Sequence, residues 1–111
     1  MKKWEKRLKG EQIRARVNAG EVVVNREPGN SMVPLLRSRQ PVELRKPDRP
    51  PRKGDIVFTK VRGRFYTHLV LAVGSDGRYL IGNNHGGVNG WTRDIVALAN
   101  PLRSAQRTES L

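Results

Sequence analysis

Residues Gly29-Asn30-Ser31-Met32-Val33-Pro34-Leu35 place a serine in a tight turn bounded by glycine and proline. Such a turn exposes a hydroxyl at the edge of a sheet while fixing the backbone beneath it. Nucleophilic catalysis by serine needs that rigidity. It also needs a base within hydrogen-bond reach and N–H donors for the oxyanion. The backbone N–H of Ser31 or of Met32 is the nearest candidate donor. The plainer reading is a serine bonded to its own backbone in a β-turn.

Other chemistries find little support. The chain has no cysteine, so thiol catalysis, disulfides and thiolate metal sites are excluded. Two histidines without cysteine or paired carboxylates make no convincing ligand set, so neither a metal nor a cofactor is expected. The glycines between Gly82 and Gly90 are followed by no helix and no Lys-Ser/Thr pair, so they are not a phosphate cradle. His85 reads as an exposed loop residue.

The elements that must carry Ser31 are mostly strands. Residues 1–19 read as a short basic helix with sparse apolar points at Trp4, Leu8, Ala15 and Val17, interrupted by Gly10 and ended by Asn18-Ala19-Gly20. Strands are expected over 21–25, 41–44, 55–61, 64–73, 78–82 and 95–98. Arg62-Gly63 and Ser75-Asp76-Gly77 are turns. Residues 45–53 hold three prolines and five cations and must be a loop. Asn83 to Gly90 reads as a second loop, and Ser31 to Ser38 as a short segment able to form one helical turn. In the 64–73 strand, Phe65, Thr67, Leu69, Leu71 and Val73 alternate onto one face as core. Tyr66, His68, Val70 and Ala72 share the other face, where a cleft residue belongs. Closely spaced strands and turns predict a mainly β fold, a small coiled antiparallel barrel or sandwich. The organisation expected is a basic arm over 1–19, a β domain over 20–100 and a flexible tail over 101–111.

Four short motifs add a family resemblance. Gly29-x-Ser31-Met32-x-Pro34-x-Leu36 resembles the G-x-S-M-x-P-x-L box of the LexA-like and signal-peptidase superfamily of serine peptidases. Gly54-Asp55-Ile56-Val57 resembles that superfamily's G-D-I-V strand start. Tyr66-Thr67-His68-Leu69-Val70 resembles the segment that carries its general base. Gly82-Asn83-Asn84 resembles its G-D-N-N loop. The resemblance implies coiled antiparallel strands with a shallow cleft, where an extended peptide adds as a strand. It implies Ser31 as nucleophile and His68 as general base, the Ser–His variant of a dyad that is more often Ser–Lys. A neutral imidazole accepts a proton directly, whereas a lysine must first be desolvated. Lys60, on the partner strand, is the alternative base. Asn83 or Asn84 is expected to orient His68 by an amide hydrogen bond, which stabilises an imidazolium less than a carboxylate does. The substrate implied has small residues beside the scissile bond. Compact relatives of this kind include self-cleaving repressors and proteins of phages and mobile elements. Arg16-Val17-Asn18-Ala19-Gly20 resembles the Ala-Gly bond that LexA-like proteins cut in themselves, but Gly20 reads better as a helix cap.

Charge supplies the competing reading. With 22 Lys+Arg against 10 Asp+Glu, the formal net charge is +12, which favours phosphate backbones through counterion release. The cations are spread along the chain and only six aromatics are present, few for a base-stacking platform. No apolar stretch approaches the roughly 20 residues of a membrane-spanning helix, so a cytoplasmic protein is expected. The leading expectation is a soluble serine endopeptidase acting on a partner protein or on itself. The alternative is a catalytically idle module that holds a peptide or nucleic acid on its basic surface.

Overall fold

The β-branched and alternating segments do form strands, and they join into one antiparallel sheet. The computed structural model describes residues 8–102. Helix α1 (Gly10–Asn18) precedes seven strands: β1 (Val23–Asn25), β2 (Val42–Arg45), β3 (Ile56–Val61), β4 (Arg64–Val73), β5 (Tyr79–Gly82), β6 (Val88–Thr92) and β7 (Ile95–Pro101). Their order in the sheet is β1-β2-β7-β3-β4-β5-β6. The mainly β expectation holds, but the barrel does not: the sheet stays open, with β1 and β6 as its edges. Among the described residues no helix is long and apolar enough to cross a membrane.

The helix forms for reasons only partly visible beforehand. Ile13 and Val17, one turn apart, are its buried pair, whereas Ala15 is exposed. Glu21 N–H reaches Arg16 O at 3.0 Å and Gly20 N–H reaches Val17 O at 2.9 Å, a Schellman ending with Gly20 at φ +91°. The expected cap is therefore in place, and the Ala19–Gly20 bond lies within it. Gly10 does not interrupt the helix; it begins it, and a Cβ there would collide with the Phe65 ring. Trp4 and the tail from residue 103 onward lie outside the described residues.

Two cores lie on the two faces of the sheet. Ile13, Val17, Val23, Met32, Leu36, Val42, Leu44, Phe58, Val96 and Ala97 form the first, beneath the helix. Val57, Val61, Val70 and Ile81 form the second, with Tyr66, Tyr79, Ile95 and Leu98 around them. This corrects the expected division of β4. Phe65 and Leu69 face the first core, but Tyr66 and Val70 on the opposite face are also covered. A register shift between Val70 and Ala72 ends the simple alternation and leaves Val73 exposed.

The β3–β4 hairpin turns at Arg62 and Gly63, with φ of 50° and 82°, the two left-handed residues of a type I′ turn. Strand β4 pairs with β3 from Arg64 to Leu69, and with β5 only from Leu69 onward. Among the described residues its second edge has no strand partner ahead of Leu69, and a pocket lined in part by Thr67 and His68 lies there. The loop expected over 83–90 is shorter, because β6 begins at Val88. Thr92 Oγ1 donates to Lys60 O at 2.8 Å, which ties β6 back over β3.

Candidate active site

Ser31 sits on a turn anchored at both ends and from below. Arg39 N–H donates to Glu27 O at 2.7 Å and closes the loop's base. Gly29, at φ +117°, donates its N–H to Ser38 Oγ at 3.1 Å. Within the turn, Val33 N–H reaches Asn30 O at 3.2 Å and Leu36 N–H reaches Met32 O at 2.9 Å. The Met32 and Leu36 side chains are buried in the first core, so the apolar residues after the serine are its anchors. The Val33–Pro34 peptide is cis. Ser31 itself is exposed.

His68 is presented by β4 on the face that carries Tyr66 and Val70. Its ring is buried at 9% exposure and stacks on the Tyr66 ring, centroids 4.9 Å apart. Ser31 Oγ lies 3.2 Å from His68 Nε2, and His68 Nδ1 lies 2.7 Å from Asn89 Oδ1. An amide oxygen only accepts, so Nδ1 carries the proton and donates it to Asn89. Nε2 is then left with its lone pair toward Ser31, which donates its hydroxyl proton to it. This is the tautomer a general base requires. The contact of 3.2 Å is long for an O–H···N bond, as in many sites without substrate.

The orienting amide is thus Asn89, where Asn83 or Asn84 was expected. Asn83 Oδ1 accepts the N–H groups of His85 at 2.8 Å and Gly87 at 2.9 Å, so it caps its own loop. Asn84 holds the Ser31 turn instead: its N–H donates to Ser31 O at 3.0 Å and its Nδ2 to Val33 O at 3.0 Å. Both asparagines are needed near the site, but neither meets the imidazole. Gly82 is required by packing, since a Cβ would run into Gly87 O and the Leu71 side chain.

The second motif is structural. Arg49 grips Asp55 with both guanidinium nitrogens, at 2.7 and 3.0 Å, and Arg52 N–H adds a third bond at 2.8 Å. The Arg49 guanidinium, above all, holds the Asp55 carboxyl below its ordinary value. Gly54, at φ +93°, makes the turn that lets its N–H reach Val70 O at 2.8 Å, beyond the end of the β3–β4 ladder. Lys60 is committed elsewhere: its ammonium pairs with Glu11 at 2.8 Å and sits 5.1 Å from the Phe65 ring centroid. His85 is exposed, as expected.

Neither the Ser31 nor the Met32 N–H has a partner among the described residues. Beside the dyad lies a pocket of about 50 Å³ whose walls include Met32, Leu36, Val42, Glu27 and Thr67. Glu27 Oε2 accepts from Thr67 Oγ1 at 2.7 Å and from Asn25 Nδ2 at 2.9 Å. Neither Asn89 nor Glu27 is picked out by the sequence reading. Asn89 stands between Val88 and Gly90, where glycine richness signals a loop, and Glu27 belongs to no motif. Among the described residues no group of histidines and carboxylates is placed to hold a metal ion. No family model, no curated protein and no solved structure matches the chain.

Proposed function

We propose that the protein is a serine endopeptidase in which Ser31 is the nucleophile, His68 the general base and Asn89 the residue that orients the base. The observation that carries this reading is the Ser31–His68–Asn89 relay, with contacts of 3.2 and 2.7 Å. An extended peptide lies along the unpaired edge of β4 ahead of Leu69, as an added strand. His68 Nε2 takes the Ser31 proton while Oγ attacks the carbonyl carbon. The N–H of Ser31 or Met32 holds the oxyanion. As the tetrahedral intermediate collapses, His68 returns the proton to the departing amine. A water molecule, deprotonated in its turn by His68, then hydrolyses the acyl-enzyme. The four-motif resemblance to LexA-like and signal peptidases points the same way. A neutral orienting amide implies a slow enzyme, because it stabilises the imidazolium less than a carboxylate does.

The test is proteolysis of unfolded protein substrates, with new N-termini read by mass spectrometry. Cleavage is expected from the wild type and is expected to vanish in both Ser31→Ala and His68→Ala. Cleavage that survives in Ser31→Ala would overturn the assignment.

A further inference from the structure

The resemblance implies small side chains beside the scissile bond, yet the pocket at Ser31 carries a carboxylate. Glu27 is half-buried between Asn25 and Thr67, both buried. Its Oε2 is spent on those two neighbours, while Oε1 has no partner among the described residues. A carboxylate oxygen without a hydrogen bond in a recessed site favours a donor, and a cationic one most of all. The rest of the wall suits an alkyl stem: Met32, Leu36 and Val42 line the same pocket. Its volume of about 50 Å³ exceeds what a single water needs, so the tip of a side chain can enter. Arg37 also borders the pocket, but it is exposed at the rim.

Resting on the peptidase reading, we infer that Glu27 makes this pocket selective for a basic side chain, lysine or arginine, on the residue whose carbonyl Ser31 attacks. Ser31 and His68 line the pocket themselves, so its occupant is the residue at the scissile bond. The net charge of +12 opposes a basic substrate at long range. Such repulsion is screened beyond roughly 8 Å at physiological salt, whereas the contact with Glu27 is not.

Peptidyl diphenyl phosphonates that differ only in the side chain next to phosphorus, carrying the side chains of lysine, alanine, leucine or glutamate, read this directly as rates of Ser31 labelling by intact mass. The lysine probe is expected to react about tenfold or more faster than the alanine probe. In Glu27→Gln, which keeps an acceptor for Asn25 and Thr67, that ratio is expected to fall to near one. Equal wild-type rates for lysine and alanine, or a preference for glutamate, would overturn the inference while leaving the peptidase intact. The wild-type ratio decides the matter even if Glu27→Gln does not fold. If no probe labels Ser31, the peptidase reading fails, and n-butylammonium is titrated into Ser31→Ala by NMR. Shifts at Asn25 and Thr67 that depend on Glu27 then support a cation pocket, and their absence rejects it.

Discussion

Among single residues, the amide that touches His68 decides how its ring is held. Asn89 Oδ1, at 2.7 Å from Nδ1, fixes the ring in the tautomer that leaves Nε2 open to Ser31. Asn89→Ala should slow Ser31 labelling by a serine-reactive probe on the order of tenfold or more, with the fold unchanged by circular dichroism. Asn89→Asp is the sharper variant. A carboxylate beside Nδ1 favours the imidazolium, so the pH midpoint of labelling should rise by about one unit or more. An unmoved midpoint would mean that residue 89 does not touch the base. Ser31, His68 and their motif neighbours were legible in the sequence because the tight Ser31 turn needs particular residue types. Asn89 was not, because an orienting amide can reach an imidazole from any neighbouring strand, and only the β5–β6 pairing decides which one does.

At the scale of elements, the same contrast separates what local chemistry decides from what tertiary packing decides. The β3–β4 hairpin and the helix ending at Gly20 follow from local turn chemistry, and both were visible. Strand β6 was hidden because Val88, Asn89 and Gly90 sit among glycines, and its pairing with β5 overrides that weak propensity. Gly10 was misjudged for a related reason. Its lack of a side chain looks like a helix defect until the Phe65 ring is placed against it. Gly10→Ala should therefore destabilise the protein by about 1–3 kcal/mol through overpacking, against the gain of up to about 1 kcal/mol that helix propensity alone predicts. Urea denaturation distinguishes the two, since a raised midpoint would refute the packing argument. Because Phe65 and His68 belong to the same strand, β4, the same lesion should slow labelling of Ser31.

At the scale of the whole molecule, two ion pairs fasten the periphery to the sheet. Arg14 clamps Asp94 at 2.6 and 2.8 Å and joins the helix to the start of β7, while Arg49 clamps Asp55 at the proline-rich loop. In each case the hydrogen-bonded guanidinium holds the carboxyl below its ordinary 3.8. A depressed folded pKa contributes stability that is present above the unfolded value and lost as pH falls through the folded one. The urea midpoint should accordingly be flat from pH 7 to pH 5 and fall below about pH 4, less steeply in Arg14→Gln. Strand β4 lies inside the sheet, but among the described residues it is unpaired on one side ahead of Leu69, and the pocket lined by Thr67 and His68 lies there. The central claim, that these parts make an activated serine, is met most directly by the rate of phosphonylation of Ser31 as a function of pH, read by intact mass in the wild type and in His68→Ala. A single adduct on Ser31 is expected in the wild type, with a pH dependence that is lost in His68→Ala. An adduct rate that follows the same pH curve with and without His68, or no adduct at any pH, would contradict it.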